Sequence, residues 1–350
     1  MNTRKKILII RRSALGDTIH TLPLLSALKQ RYPDSEIGWV VDEKASYFLI
    51  NHPLINRLYI LRKKGRSKID GFKDFLSVIN EIRAEKYDIV IDTQQLLKSS
   101  LIMGMSGGKR KIALSDGREF SGIFANEIIK SQRRQFDIHY HVVKRNLEIA
   151  AYLGADTENT EFVLPEISES SKEKVKNLLA LLDKTKKTVV IAPETTWGNK
   201  HWDENCWREV ICEFIGKVNI IYTGTNNDKG LSERILQGFD KNSFVNLKGK
   251  TTLEDMREVF HYADLLVSPD SGTTHIAWAE GKCSILTLFF ATSGERTAPF
   301  GDKYQFVQAD CKCSPCMKKN CSIKNKNLCT KSINSKEILK IMNNLLQFGQ

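Results

Sequence analysis

An acid stands where an apolar run gives way to a helical pattern near the start of the chain. The stretch "SALGDTIHTLP", Ser13 to Pro23, follows "KILIIRR", and its one carboxylate is Asp17. An aspartate there can cap the helix, accepting backbone N–H groups and complementing the helix dipole. It can also serve a reaction. Ligands in α/β folds sit beyond the carboxyl ends of strands, and a carboxylate held there can take a proton. This stretch alone leaves both readings open.

Three later loops carry similar residue sets, each after an apolar run. "APETTWGNKHW" holds Thr195, Thr196 and Lys200. Two hydroxyls that donate and one ammonium that neutralises suit a phosphate; the other reading is a polar loop before a helix capped by Asp203. "TGTNNDKG" holds Asp228, which can accept from ribose hydroxyls or cap the next helix. "SPDSGTTHIAWAEG" places Asp270, Ser271 and Gly272 at a strand-to-helix junction, with His275 one turn further on. Small residues there let a phosphate approach the free N–H groups of a helix N-terminus. The four residues together point to a nucleotide-diphosphate site.

Cations gather in the first half. "LRKKGRSK" presents Arg62, Lys63, Lys64, Arg66 and Lys68, and "KSQRR" adds Lys130, Arg133 and Arg134. They read as solvated surface or as the seat of an anionic acceptor. No aromatic residues interleave them, so they do not resemble a groove for single-stranded nucleic acid. Five cysteines crowd into "CKCSPCMKKNCSIKNKNLC": Cys311, Cys313, Cys316, Cys321 and Cys329. Their spacing is not that of a common zinc finger, and thiols without metal are expected. "GMSGGKR" is too short for a P-loop and has Arg110 where Ser or Thr should stand.

Alternating elements must position these loops. Strands are expected at "KILIIRR", "EIGWVVD", "RLYIL" and "YDIVIDT" in the first half. In the second they fall at "TVVIAP", "VNIIYTG", "SFVNLKG", "DLLVSPD" and "SILTLFF". Helical patterns lie between them, among them Thr18–Tyr32, 140–154 and 169–183. Such alternation gives parallel sheets with helices on both faces. The polar stretch "ADTENTEFVLPEISESS" separates two Rossmann-like domains, 1–165 and 166–350, with a ligand cleft expected between them. No G-x-G-x-x-G fingerprint is present. The 350 residues carry a formal net charge of +12, which suits a polyanionic partner. The basic start lacks the apolar core of a signal peptide, and no run approaches a membrane span. A cytoplasmic protein, peripheral to a membrane, is expected.

The segments "RRSALGDTIHTLPLLSALKQRYP", "DTQQLLKSS", "TTWGNKHW" and "SPDSGTTHIAWAEG" resemble the ADP-heptose:lipopolysaccharide heptosyltransferases, glycosyltransferase family 9. The resemblance runs through most of the chain in the same order. It implies a GT-B fold, two Rossmann-like domains whose parallel sheets face a central cleft. It implies an inverting, metal-independent transfer of L-glycero-D-manno-heptose from ADP-heptose to the Kdo/lipid A inner core of lipopolysaccharide. Asp17 maps to the catalytic base. Thr195, Thr196, Lys200, Asp270, Ser271, Gly272 and His275 map to donor contacts, and Asp228 falls near an acidic residue on the nucleoside side, more often Glu. The acceptor half then holds Arg62, Lys63, Lys64, Arg66 and Lys68. No cofactor beyond the donor, no nucleic acid and a site at the cytoplasmic face of the inner membrane are implied. The first, second and third segments are most similar to heptosyltransferase I. The cysteine segment is closer to other members, including heptosyltransferase II, so the acceptor stays open. Two rival readings are another nucleotide-sugar transferase and a non-catalytic binder of anionic surfaces.

Overall fold

The computed structural model describes residues 4–62, 68–133, 137–158, 161–323 and 328–347. The chain divides into two compact units, Met1–Pro165 and Glu166–Gln350. Among the described residues no helix is long and apolar enough to cross a membrane.

In the first unit, strands β1 (Lys6–Ile10), β2 (Glu36–Asp42), β3 (Arg57–Leu61), β4 (Ile89–Asp92), β5 (Arg110–Leu114) and β6 (Glu127–Ile129) form one sheet. Its order is β3-β2-β1-β4-β5-β6 and every pairing is parallel. Helices α1 (Leu15–Ile19), α2 (Leu22–Arg31), α3 (Lys68–Glu85), α4 (Leu97–Met105) and α5 (Val142–Tyr152) connect and cover it. Ile7 to Ile10 and Ile89 to Ile91 are fully buried, as central parallel strands with both faces covered must be.

In the second unit, α6 (Glu169–Leu178) precedes β7 (Thr188–Ile191), α7 (Glu204–Phe214), β8 (Asn219–Tyr222), α8 (Leu231–Leu236) and β9 (Val245–Asn246). Next come α9 (Leu253–His261), β10 (Leu265–Pro269), α10 (Gly272–Glu280), β11 (Ser284–Phe289), α11 (Gly294–Thr297), β12 (Tyr304–Gln308) and α12 (Ser335–Leu346). The sheet order, β12-β11-β10-β7-β8-β9, repeats the plan of the first unit, again wholly parallel. Local chemistry sets the helix starts. Asp203 accepts the Asn205 N–H at 2.9 Å to cap α7, and Thr252 and Asp255 form a reciprocal capping box on α9.

Several elements differ from the sequence reading. The single helix expected over Thr18–Tyr32 is two, because Pro23 has no N–H to continue a helix and instead sits in the first turn of α2. Strands β5, β6 and β12 lie outside the expected set: β6 has three residues, and much of β12 is exposed, so neither shows a buried apolar run. The strand expected at "SFVNLKG" shrinks to two residues at a sheet edge, and the helix expected to reach 183 ends at Leu178.

Candidate functional site

In each sheet the chain runs outward from its first strand, then returns on the other side. The reversal falls between β1 and β4 in the first unit and between β7 and β10 in the second. Such switch points open a crevice beyond the strand ends.

Asp17 lies at the first switch point, in the short helix α1. One carboxylate oxygen accepts the Ala14 N–H at 3.2 Å, and the other meets the Arg11 guanidinium at 2.9 Å. The side chain remains 42% exposed. The capping and chemical readings are therefore compatible, since the cap occupies one oxygen of a carboxylate that still faces solvent. Arg11 is itself held from across the switch point, donating to the Thr93 carbonyl at 2.7 Å. Gln94, from the same loop after β4, accepts the N–H groups of Arg12 and Ser13 at 3.0 and 3.1 Å. The Asn146 amide on α5 donates to the His20 carbonyl at 3.0 Å, fixing the far end of α1.

Asp92, at the end of β4, is fully buried. It accepts the N–H groups of Gln94 and Gln95 and the Ser99 hydroxyl at 2.9, 3.0 and 2.8 Å. Burial pushes its carboxyl up to about 6, against the pull of those hydrogen bonds and of the Arg11 charge. It shapes the loop that carries Gln94.

At the second switch point the roles change. Asp270, just after β10, is buried, and Lys200 from the β7 loop reaches it at 2.6 Å. Thr292 donates to the same carboxylate oxygen at 2.6 Å, and His275 approaches the other at 3.4 Å. The hydroxyl of Thr195 donates to the Asp270 carbonyl at 3.3 Å. Burial would raise the Asp270 carboxyl, but the His275 hydrogen bond and the Lys200 charge hold it far below the usual carboxylate range. The Lys200 ammonium also lies 4.7 Å from the centre of the Trp197 ring. Asp270 therefore orients a cation.

Next to this pair, the N-terminus of α10 is open. Ser271 takes the cap position without making a side-chain cap, and its hydroxyl is buried with no hydrogen-bond partner. Gly272 is exposed, with no heavy atom within 4 Å of where a Cβ would stand. Thr196 is exposed as well. A buried hydroxyl with no partner, beside free helix N–H groups and an oriented lysine, suits an anionic oxygen.

The structure thus brings together Thr195, Lys200, Asp270, Ser271, Gly272 and His275. Asp228 is engaged elsewhere. It accepts the N–H groups of Gly230 and Ser232 and the Ser232 hydroxyl, and it pairs with Lys248 at 2.9 Å. Burial raises this carboxyl, yet those partners bring it down to about 2. Its geometry is that of a cap on α8, and the ribose reading finds no free oxygen there. The nearby acid with more exposure is Glu194, which accepts from the Thr225 N–H and hydroxyl at 2.5 and 2.7 Å and ties the β7 loop to the β8 loop.

Of the basic loop, Arg62 is exposed, while Lys63, Lys64 and Arg66 lie outside the described residues, as does the Lys68 side chain. Lys130 and Arg133 are exposed and Arg134 lies outside the described residues. The eight cysteines are thiols, with the Cys311 and Cys313 sulfurs 3.1 Å apart. Burial and the thiols of Cys311, Cys313, Cys316 and Cys321 push Cys329 up to about 11. Among the described residues no three or more His, Cys, Asp or Glu side chains group to hold a metal.

Arg11, Gln94, Asp92 and Thr292 escaped the sequence reading. The doubled arginine before "SALGD" and the doubled glutamine in "DTQQ" were the available signals. The link from Thr292 to Asp270 spans a whole strand and had none.

Residues 75–327 match the profile of glycosyltransferase family 9 (heptosyltransferase). The chain belongs to this family. It is accordingly a glycosyltransferase, and its relatives agree. Lipopolysaccharide heptosyltransferase 3 of Escherichia coli K12 is 30% identical over 79% of this chain and 80% of its own length. Lipopolysaccharide heptosyltransferase 1 of Campylobacter coli is 32% identical over 84% of this chain and 86% of its own. Among solved structures, a family 9 glycosyltransferase from Veillonella parvula aligns over 100% of this chain and 99% of its own, with a TM-score of 0.80 at 20% identity. The E. coli heptosyltransferase WaaC with ADP-2-deoxy-2-fluoro heptose covers 97% of this chain and 99% of its own, with a TM-score of 0.71 at 22% identity. The family 9 chain has the GT-B fold.

Proposed function

We propose that this glycosyltransferase moves L-glycero-D-manno-heptose from ADP-heptose to the Kdo/lipid A inner core of lipopolysaccharide, with inversion and without a metal, at the cytoplasmic face of the inner membrane. The observation that carries the donor assignment is the Lys200–Asp270 pair beside the unpartnered Ser271 hydroxyl and the open start of α10. The diphosphate is received there, with Thr195, Thr196, Gly272 and His275 around it. Asp17 in the first unit acts as the base. The acceptor oxygen attacks the anomeric carbon, its proton passes to the Asp17 carboxylate, and the bond from that carbon to the diphosphate breaks. The charge developing on ADP is met by Lys200 and the helix N-terminus. Relatives named lipopolysaccharide heptosyltransferase 1 support the first-heptose reading, and one named lipopolysaccharide heptosyltransferase 3 keeps a different core acceptor as the alternative.

Incubation with ADP-heptose and a panel of truncated lipopolysaccharides, read by mass spectrometry, tests this. One heptose should be added to Kdo-lipid A, and saturating EDTA should leave the rate unchanged. Addition only to heptose-bearing cores would move the enzyme to a later step. Transfer from other nucleotide sugars but not ADP-heptose would overturn the donor. Loss of activity in EDTA with recovery in magnesium would overturn the metal-free mechanism. Elemental analysis of protein purified without chelators should find no stoichiometric zinc or iron at the cysteine cluster.

A further inference from the structure

The first unit carries an apolar patch that the transfer reaction does not use. A 3₁₀ turn, Ser121–Phe124, lies against α4 near the edge strand β6. The Ser100 hydroxyl donates to the Ser121 carbonyl, and Leu97 N–H donates to the Glu119 carboxylate at 3.2 Å. Gly104 lets the turn settle: a Cβ there would stand 2.8 Å from the Phe124 ring. On the strand side, a Cβ on Gly122 would lie 3.6 Å from the end of Ile128. These contacts place Leu97 and Leu101 of α4, Phe120 and Ile123 of the turn, and Ile128 of β6 in one neighbourhood.

All five are exposed: Leu97 50%, Leu101 42%, Phe120 89%, Ile123 69% and Ile128 58%. Glu119 and Phe120 are consecutive residues in the left-handed region, with φ of 52° and 57°. A bulky residue is strained there, yet this one is a phenylalanine in water. Exposed apolar residues scattered singly need no explanation, but a concentrated group marks an interaction site.

The charge around the patch says what covers it. From Leu96 to Arg134 there are eight Lys and Arg but three Asp and Glu. Two of those acids are already paired, Glu127 with Arg110 and Asp116 with Arg145. Lys98, Arg118, Lys130 and Arg133 are exposed. A second copy docked on this face by a two-fold axis would set like charges together. An anionic lipid surface offers the complement to both features, an apolar interior beneath a negative headgroup layer.

We infer that Leu97, Leu101, Phe120, Ile123 and Ile128, rimmed by these cations, form a face that docks the first unit on an anionic bilayer. From the proposed function it takes only that the acceptor is membrane-bound, and its test needs neither donor nor acceptor. The full chain is co-sedimented with vesicles of phosphatidylcholine alone or with about one-third phosphatidylglycerol. The wild type should bind the anionic vesicles and release them in high salt. Phe120→Ser with Ile123→Ser should lower partition about tenfold or more through lost apolar burial. Lys130→Gln with Arg133→Gln should lower it about fivefold per charge at low salt, on anionic vesicles only. Thermal melts check folding, and removing exposed side chains should leave them unchanged. Failure of the wild type to bind anionic vesicles would overturn the inference, as would unchanged binding by the Phe120/Ile123 variant. So would light scattering that shows a dimer abolished by that variant, since the face would then be a self-interface. Transfer to a water-soluble acceptor judges the proposed reaction separately.

Discussion

The two switch points share one topology and use their carboxylates in opposite ways. Asp92 ends β4 and Asp270 follows β10, the matching strand of the second sheet. Both are buried. Asp92 is hydrogen-bonded by its own loop, so burial prevails and its carboxyl is pushed up to about 6. Asp270 has Lys200 within 2.6 Å and His275 on its other oxygen, and it is held far below the usual range. Burial alone therefore does not decide a carboxylate's state; a hydrogen-bonded cation does. The consequence reaches function. The second unit uses its buried acid to aim a lysine, while the first keeps another acid, Asp17, partly in solvent, where the proposed reaction needs a base.

The sharpest break of this comparison is Asp17→Asn. Turnover should fall about 10²–10⁴-fold, the usual loss of a general base, with ADP affinity spared. Its stability should fall by less than in Lys200→Ala, because Asn keeps an oxygen for the Ala14 N–H and the buried Arg11, whose guanidinium is also held by the Thr93 carbonyl. Near-normal turnover would move the base elsewhere.

Lys200→Ala should do the reverse. It leaves the buried Asp270 carboxylate with the Thr292 hydroxyl and His275 but without its lysine, a loss of up to about 3–5 kcal/mol, visible in denaturant melts together with weakened ADP binding. If Asp17→Asn destabilised the protein as much as Lys200→Ala, the two sites would not differ as described.

The pH dependence separates the two buried acids. Asp92 has a folded value of about 6, above the ordinary 3.8. The unfolded chain therefore loses this proton first as pH rises. Its contribution is fullest below about pH 4 and declines by about 3 kcal/mol as pH rises to 6. Asp92→Asn should flatten that window in urea melts. Asp270 is shifted the other way, so its contribution is present above the unfolded value and is lost only as pH falls below about 4. Unchanged pH slopes in Asp92→Asn would remove the contrast.

The smallest effect concerns the acceptor side. Neutralising Lys63, Lys64 and Arg66 together should raise the acceptor KM about tenfold and flatten its salt response, with ADP-heptose KM unmoved. Equal loss for donor and acceptor would make these residues ordinary solvated surface.

The sequence by itself determined the alternation of buried strands and amphipathic helices. It also determined which strand-end loops carry acids, hydroxyls and a lysine. Those features depend on neighbours within a few residues: apolar runs for β1 and β10, the cap at Asp203, Pro23 restarting α2. It did not show β6 or β12, whose short or exposed runs take their pairing from a neighbouring strand. Only the tertiary structure decided what each acid does. Asp228 and Asp270 look alike in sequence, each following an apolar strand and preceding a helix. Asp228 meets Ser232 and Lys248 and caps α8, whereas Asp270 meets Lys200 from the β7 loop and Thr292 from beyond β11. Seventy residues separate Lys200 from Asp270, and the parallel pairing of β7 with β10 brings their loops together. The protonation and bonding of a buried carboxylate are set by whichever groups the sheet order delivers to it, and that order is not written in any local stretch of the chain.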